Sequence, residues 1–554
     1  MGLKYLYVPS GVKAEKAYGV LPNSADADFS SFSRNSAGSR VDKNGFINTG
    51  LGLGSEEVVN GGFDSSASWS ISNSSGASTQ ITGGYLRIQT DGAYTDVGQT
   101  NVMQSGKQYT LSYTVTESNE GSLVMVMNDA GSISVDLPTS VGSQTFDFTS
   151  QRSTLAFKRG GGALDIKIDN VSVREITEVN TDVPRLDYTD GGCPSLLLEE
   201  QATNSIEYSE NIASSSWSVT GCTRTVNTVI SPDGNLTMDD LNENTSSGAH
   251  SINQGNKTIV ADSVNCYSIF IKRKEVSADR FLRLDVQDST FTNGGRALFN
   301  IQTGQVQLSP ISVGAGSNLN SGSEYYGNGI YRIWISLKVD GTSTQIRPYI
   351  YLQSSGSGYS ASYTGDGFSG VSLWGGQLEQ NSEPSSYIPN LSTGLSTRAA
   401  DVGNSTGDIS SVINSQEGTL FFEGSFLSLV GRFSLNSSAT TWSDRITILV
   451  ISDNQVKVAY KAGGVGADAT FTVPNIKTNG KLAIRWIGTT IIGYYNGTEV
   501  FNKTNNGVFS AGILDRISMA AANGTGNKFA GKVKQLRVYD EYLSDEEMVK
   551  LTTL

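Results

Sequence analysis

Few residues of this chain could catalyse a reaction. His250 is the one histidine, and it stands in the polar stretch Ser246–Gln254, where we expect a surface or loop residue. A Ser-His-Asp or Cys-His arrangement would need it, and neither the zinc-protease spacing HExxH nor a phosphate-binding P-loop occurs. The acids from Asp540 to Glu547 cluster where a helix begins, so helix capping and the helix dipole explain them better than a pair of glycosidase acids does. The sequence therefore predicts no catalytic residues and a protein that is not an enzyme.

Aromatic side chains offer a different chemistry, because an exposed ring can stack on the face of a sugar. Trp442 is the strongest candidate, since it lies in the polar segment Ser437–Arg445. Tyr359 and Tyr363, within the polar segment Ser354–Gly367, come next. The remaining tryptophans lie beside strands or among aliphatic residues, and we interpret them as core residues: Trp69, Trp217, Trp334, Trp374 and Trp486.

The overall charge excludes several classes of partner. The net charge is −13 and the isoelectric point about 4.8, and no basic stripe occurs, so neither nucleic acid nor an anionic membrane is an expected partner. Met1–Gly11 lacks the apolar centre of a signal peptide, and no apolar run approaches the ~20 residues of a membrane helix. We expect neither membrane insertion nor a secretory leader.

The cysteines do not form a disulfide framework. There are three, Cys193, Cys222 and Cys266, and an odd, sparse set favours buried free thiols over a Cys222–Cys266 bridge. Free thiols fit assembly in a reducing cytoplasm.

The elements that position these residues are predicted to be β-strands. Apolar and polar residues alternate in many short runs separated by Gly, Asn, Asp or Pro, and 62 glycines with only 17% charged residues are typical of turn-rich β proteins. We predict an all-β chain of three tandem β-sandwich (jelly-roll) domains with an extended N-terminal arm.

The domain boundaries follow from repeated landmarks. Trp217 is placed after its opening strand as Trp69 is in the preceding domain, and Val371–Leu373 corresponds to Val171–Val173 at the close. We divide the chain into an arm (1–54), a first sandwich (55–178), a linker (179–202), a second sandwich (203–390), a second linker (391–407) and a third sandwich (408–554).

The third sandwich has two clear local signals. Asn496-Gly497 follows an apolar run and predicts a tight β-hairpin. Ser544 with Glu547 three residues later has capping-box spacing and predicts a short helix near the C-terminus.

Two separated segments resemble virion appendage proteins of tailed bacteriophages. They are Tyr7–Pro22 with Arg34–Gly45, and Val183–Asn204, which contains VPRLDY, GGCPSLLLE and TN. In that family the two lie close together, whereas here residues 51–179 intervene, so we infer that a whole domain has been inserted. The resemblance implies a structural component of the virion, assembled in the host cytoplasm, that docks to other virion proteins through its N-terminal arm. It also implies a homo-oligomer, most often a trimer.

The sandwiches carry resemblances of their own. The opening VVNGGFDSSASW and closing IDNVSV of residues 55–178 resemble jelly-roll carbohydrate-binding modules, and residues 408–554 resemble concanavalin A-like, laminin-G-type lectin domains. The first resemblance implies a structural Ca²⁺, a cation that prefers several hard oxygen ligands. The corresponding acids are Glu56, Asp64, Asp169 and, in the second sandwich, Asp366; the alternative is that they are turn residues at strand ends.

Three functional hypotheses remain open. The first is a non-enzymatic phage fibre or appendage that binds host-surface glycans through its distal sandwiches. The second is a purely structural capsid decoration or spacer, because a lectin-like fold does not by itself imply binding. The third is a glycan depolymerase, which would need two acids facing each other across a groove.

Overall fold

The computed structural model describes residues 3–9, 12–13, 16–18, 28–29, 32–128, 134–274, 278–403, 408–439, 442–520 and 527–554. It divides into two compact units. One comprises Met1–Gly50, Asn180–Pro389 and Leu395–Leu554, and the other comprises Leu51–Val179 with Asn390–Gly394. Much of the predicted docking arm, between residues 10 and 31, lies outside the described residues.

The N-terminal segment contributes short strands. They are β1 (Leu3–Tyr7), β2 (Val12–Lys13), β3 (Lys16–Tyr18), β4 (Asp28–Phe29), β5 (Phe32–Ser33), β6 (Arg40–Val41) and β7 (Ile47–Asn48).

The unit around residues 51–179 is a β-sandwich. Its strands are β8 (Leu51–Glu56), β9 (Ser70–Asn73), β10 (Gln80–Thr82), β11 (Tyr85–Thr90), β12 (Thr95–Gln99), β13 (Gln108–Glu120), β14 (Leu123–Val126), β15 (Ser134–Leu137), β16 (Gly142–Thr149), β17 (Leu155–Arg159) and β18 (Leu164–Glu178). One sheet has the order β10-β11-β18-β13-β16 and the other β15-β14-β17-β12-β9. Buried and half-buried residues alternate strictly in β11 and in the first eight residues of β13, which directs one face of each strand into a core that includes Trp69.

The second sandwich belongs to the other unit. Three short strands precede it, β19 (Arg185–Asp187), β20 (Ser195–Leu198) and β21 (Ala202–Asn204). Its strands are β22 (Trp217–Thr220), β23 (Cys222–Ile230), β24 (Leu236–Glu243), β25 (Ser247–Gln254), β26 (Lys257–Thr258), β27 (Asn265–Arg273), β28 (Phe281–Asp288), β29 (Gly294–Asn300), β30 (Val306–Val313), β31 (Ser317–Tyr325), β32 (Ile330–Lys338), β33 (Gln345–Gln353), β34 (Ser362–Thr364) and β35 (Gly370–Glu379). Its sheets have the orders β22-β25-β33-β28-β29-β30 and β23-β24-β35-β27-β32-β31.

The C-terminal sandwich follows β36 (Ser396–Arg398) and β37 (Val402–Gly403). Its own elements are β38 (Glu417–Phe426), β39 (Arg432–Asn436), β40 (Arg445–Ser452), β41 (Gln455–Ala462), β42 (Val465–Thr472), β43 (Gly480–Ile487), β44 (Thr490–Tyr495), β45 (Thr498–Thr504), β46 (Arg516–Ser518), β47 (Gly531–Tyr539) and α1 (Asp545–Thr552). The predicted hairpin joins β44 to β45, with positive φ at Asn496 and Gly497. The predicted capping box between Ser544 and Glu547 opens α1. These features confirm the all-β prediction and both local signals.

One sheet of this sandwich is completed by strands from the first 200 residues. It has the order β19-β20-β47-β38-β43-β44-β45, and β1 also pairs with β47. Tyr5 and Tyr7 are fully buried in the C-terminal core together with Leu196 and Leu198. Strands β19 and β20, which belong to the motif segment Val183–Asn204, are thus part of the C-terminal sandwich.

A buried ionic network joins the same segments. Arg34 donates to Asp401 at 2.9 Å, and Arg185 donates to Glu199 at 2.7 Å and also to Asp401. Arg398 lies 3.6 Å from Glu199. All five side chains are at most 8% exposed, so each charge depends on the others, and removing one partner of such a pair costs about 3–5 kcal/mol.

Arg34 also holds together the chain on both sides of the insertion. Its guanidinium donates to the carbonyl oxygens of Asn180 and Val183, and its backbone N–H donates to Asp182. Because these residues follow the inserted unit in sequence and Arg34 precedes it, the two flanking segments are fixed to each other within one unit.

Two sequence predictions are corrected. All three cysteines are free, but Cys193 is exposed, since it follows the Gly191-Gly192 turn rather than packing in a core. His250 is not a surface residue: it is fully buried in β25. Among the described residues, no helix is long and apolar enough to cross a membrane.

Candidate functional site

The outer face of one C-terminal sheet combines an aromatic ring with several cations. The sheet has the order β42-β41-β40-β39-β46. Phe433, Ile446 and Val458, one on each of three neighbouring strands, point into the core. Because side chains alternate along a strand, the residues adjacent to each of them in sequence point outward. The antiparallel register sets Asn436 opposite Arg445, and Arg445 opposite Lys461, with Arg516 beside Asn436. Three cations therefore lie in one row across neighbouring strands.

Trp442 lies next to Arg445 in the interior of this row, in the turn between β39 and β40. Its side chain is 47% exposed. The Arg445 guanidinium lies 4.8 Å from the indole centroid and donates a hydrogen bond to the Trp442 carbonyl oxygen. A cation over an indole is an attractive contact, so Arg445 fixes the ring while much of it stays open to solvent.

The cations of this face are only partly neutralised. Lys457 pairs with Asp468 at 2.5 Å, and Arg516 pairs with Asp515 at 3.1 Å. Among the described residues, Arg432 and Arg445 form no ion pair. Arg445 is 9% exposed, and burial lowers its pKa, an effect that nearby Asp468 partly offsets. A buried guanidinium without a counter-ion favours a ligand with acceptor oxygens.

The structure does not bring the other predicted sugar-binding residues to this face, because Tyr359 and Tyr363 lie in the second sandwich. The Tyr359 hydroxyl donates to the Ser309 carbonyl oxygen at 2.7 Å. The Tyr363 hydroxyl donates to Glu243 at 2.5 Å, and its ring lies 4.5 Å from that of His250. Burial and Glu243 raise the pKa of Tyr363. The partly buried Tyr363 ring is engaged by His250 and by the Arg280 guanidinium, 5.4 Å from its centroid.

The acids predicted to hold calcium are engaged by protein donors or stand alone. Glu56 accepts the backbone N–H groups of Val58 and Val173, each at 2.9 Å, and the Ser172 hydroxyl at 2.5 Å. Asp169 accepts the N–H of the next residue at 2.6 Å, and Asp64 is exposed.

Asp366 is similarly occupied. It accepts the N–H groups of Phe368 and Ser369 and the guanidinium of Arg280, at 3.0, 2.7 and 3.1 Å. Burial acts to raise the pKa of Asp366, but the Ser369 hydrogen bonds outweigh it and lower the pKa to about 2. No three His, Cys, Asp or Glu residues in the described part of the chain are grouped to hold a metal ion. Because Ca²⁺ also accepts backbone and amide carbonyl oxygens as ligands, calcium binding stays a prediction.

Sequence reasoning singled out Trp442 but missed the cations around it. Arg445 follows Trp442 by three residues, and this short spacing was a usable signal. Arg432, Lys461 and Arg516 come from other strands, and only the sheet register places them on the same face.

Comparison with known proteins identifies one domain. Residues 406–548 match the family described as the concanavalin A-like lectin/glucanases superfamily, of the laminin G type. The chain thus contains a concanavalin A-like domain at its C-terminal end. No curated protein sequence matches the chain.

Several solved carbohydrate-binding structures show weaker likenesses. The sialidase carbohydrate-binding module of Ruminococcus gnavus, bound to α2,3-sialyllactose, is 16% identical with a TM-score of 0.24, over 27% of this chain and 93% of that one. Domain 4 of an extracellular arabinanase from Geobacillus stearothermophilus, in complex with arabinotriose, is 17% identical with a TM-score of 0.23, over 27% and 71%. A sialidase from Streptococcus pneumoniae is 17% identical with a TM-score of 0.23, over 26% of each chain.

Proposed function

We propose that this chain is a non-enzymatic glycan-binding appendage of a tailed-phage virion, and that its C-terminal sandwich holds a host-surface glycan at Trp442. The observation that carries the proposal is the half-exposed indole fixed by Arg445 at the end of a polar, cationic sheet face. The concanavalin A-like family of residues 406–548 supports it. The phage-like segments Arg34–Gly45 and Val183–Asn204 support the virion location.

The arrangement suits a sugar better than it suits hydrolysis. An open indole face can cover the apolar side of a pyranose, while guanidinium groups and Lys461 bond its oxygens. Glycoside hydrolysis needs two carboxyl groups across the bond, whereas Asp468, the one carboxylate on the described strands of this face, is paired with Lys457. This geometry favours binding over catalysis.

Such a site gains strength from repetition. A single sugar site binds weakly, and several copies on one particle multiply the effect without new contacts. The homotrimer implied by the phage resemblance would supply these copies.

A purely structural role is the second candidate. The observation in its favour is the buried network of Arg34, Arg185, Arg398, Glu199 and Asp401, which ties three distant segments into one body. A spacer protein needs such a junction whether or not its sandwiches bind sugars.

The test compares glycan binding by the full chain with that of Trp442→Ala. We expect binding to a glycan array to fall at least about tenfold, as for loss of a central aromatic contact. Tyr325→Ala, which removes a 60% exposed ring from the second sandwich, is the matched control and should leave this binding unchanged. Glycan binding that survives Trp442→Ala would refute the assignment of the site, and no binding by the native chain would favour the structural role.

A further inference from the structure

A second face with different chemistry lies on the second sandwich, and its residues range from buried, at Asp285 and Arg283, to partly exposed, at Tyr349 and Arg296. It is the outer side of the sheet that contains β25, β33, β28 and β29. The inner side is formed by core residues such as Ile252, Ile350 and Leu284. The register aligns the outward residues into rows across the strands.

The first row runs from Asn253 through Tyr349 and Asp285 to Arg296. Asn253 is opposite Tyr349, Tyr349 is opposite Asp285, and Asp285 is opposite Arg296. Strands lie about 4.8 Å apart, so the row is about 14 Å long. It is long enough for a ligand of more than one sugar ring.

The second row adds Tyr351 and Arg283, which are also direct partners. The Tyr349 and Tyr351 rings lie 5.5 Å apart and are nearly parallel, at 17°. The Arg283 guanidinium lies 4.2 Å from the Tyr351 centroid. Phe291, 44% exposed, lies 5.9 Å from Tyr349 and extends the aromatic column.

The aromatic column formed by Tyr351, Tyr349 and Phe291 is supported by contacts of Arg283 within the protein. Arg283 is held by Asp285, with Nε 2.7 Å from Oδ1, and it also donates to the Tyr359 carbonyl oxygen. The segment that carries Tyr359 therefore borders this face, and the predicted sugar-binding residue Tyr359 supports it through the backbone. Because these contacts are made within the protein, the face is organised before any ligand arrives.

Among the described residues of this face, Arg296 is a cation without a hydrogen-bonded counter-ion. Its Nε lies 3.9 Å from Asp285, beyond hydrogen-bond distance, and its side chain is 26% exposed. In the described part of the chain it has no hydrogen-bond acceptor, and its Nε is buried without one. Arg347 points to the same side, since it alternates with the core residues Ile346 and Ile350 along β33, and its guanidinium lies 5.2 Å from the Phe291 centroid. On the described strands of this face, Arg283, Arg347 and Arg296 stand against one carboxylate, that of Asp285, so the face carries surplus positive charge in a chain whose net charge is −13.

We propose that this face is a second binding site, independent of Trp442, and that its ligand is an anionic oligosaccharide. The acidic group pairs with Arg296, the sugar hydroxyls bond Asn253 and the Tyr351 hydroxyl, and an apolar sugar face covers Phe291. A carboxylate and a sulfate share the required chemistry, since either accepts a forked pair of hydrogen bonds from a guanidinium.

The test uses the full chain and calorimetric titration with three probes of similar length. They are an oligogalacturonate, a sulfated oligosaccharide and a neutral gluco-oligosaccharide. The proposal expects one or both acidic probes to bind, with affinity that falls as salt increases, and the neutral probe to bind at least about tenfold more weakly. The two acidic probes decide between carboxylate and sulfate.

Variants locate the site. Arg296→Gln should weaken acidic-probe binding about tenfold or more, and Arg296→Lys, which keeps the charge, should restore part of it and guards against a folding defect. Trp442→Ala should leave it unchanged, so failure of the C-terminal site and failure of this one are distinguishable. Equal binding of acidic and neutral probes, or unchanged binding by Arg296→Gln, would overturn the proposal.

Discussion

Tyr7 provides the sharpest test of how the C-terminal sandwich is completed. The side chain is fully buried in a core formed mainly by residues from Ile409 onward, although β1 (Leu3–Tyr7) lies more than 500 residues before its partner strand β47 (Gly531–Tyr539). The register pairs Tyr7 with Leu536 and Tyr5 with Val538. Tyr7→Ala should therefore destabilise a domain from which it is remote in sequence.

The expected size follows from the burial. An aromatic side chain buries ~150–250 Å², which at ~25 cal/mol per Å² corresponds to ~4–6 kcal/mol as an upper bound. Aromatic-to-alanine changes in cores cost about 3–5 kcal/mol. We expect about 3–5 kcal/mol for Tyr7→Ala.

Hydrogen exchange read by mass spectrometry is the suitable assay, because unfolding of a multidomain chain is not two-state. Peptides that cover Gly531–Tyr539 report directly on β47. A loss of about 3 kcal/mol should speed their slowest exchange about 100-fold. Tyr94→Ala, which removes a 50% exposed ring from the inserted sandwich, is the control and should leave β47 protection unchanged. Native-like protection of β47 in Tyr7→Ala would show that β1 does not complete this sheet.

Three further predictions concern the junction, the insertion and the thiols. Burial alone would raise the pKa of Glu199, but nearby arginines outweigh it and hold that pKa below its usual range. The ionised Glu199 therefore stabilises the folded state fully above about pH 4.3, and this stabilisation is lost as the pH falls below that value. The Tm advantage of the native chain over Glu199→Gln, measured by calorimetry, should shrink between pH 5 and pH 3. Replacing residues 51–179 with a short Gly-Ser linker should leave the remaining unit folded, because Arg34 fixes the two flanking segments to each other. Circular dichroism and hydrogen exchange of β47 test this prediction, and an unfolded product would contradict it. In native conditions a maleimide should label the exposed Cys193 but not Cys222, because burial raises the pKa of the Cys222 thiol to about 12. Mass spectrometry identifies the labelled sites, and prompt labelling of Cys222 would refute its burial.

Two chemically different faces on one chain would change how it meets a cell surface. The Trp442 face offers a ring with cations on one sandwich, and the Tyr349–Tyr351 face offers an aromatic column with Arg296 on another. Weak sites on one body raise each other's effective concentration when one glycan layer presents both ligands. Comparing single variants at each face with the double variant on the same surface would measure this coupling.

The sequence by itself determined the local structure. Alternating polarity specified strands because side chains alternate between the two faces of a sheet. Asn496-Gly497 specified a hairpin because both residues adopt positive φ readily, and Ser544 with Glu547 specified a helix start because each bonds the other's backbone. The exposure of Trp442 was also readable, since its neighbours are short and polar.

Only the tertiary structure decided which strands pair and which side chains meet. The partner of β1 is β47, and the buried ion-pair partner of Arg34 is Asp401. Nothing local to these segments encodes those choices. Strand pairing depends on long-range register, and a shift of one residue would turn every side chain to the opposite face. For this reason the sequence around Tyr349 and Tyr351 predicts only a strand. The alignment of four strands then places these two tyrosines on one face with Asn253, Asp285 and Arg296.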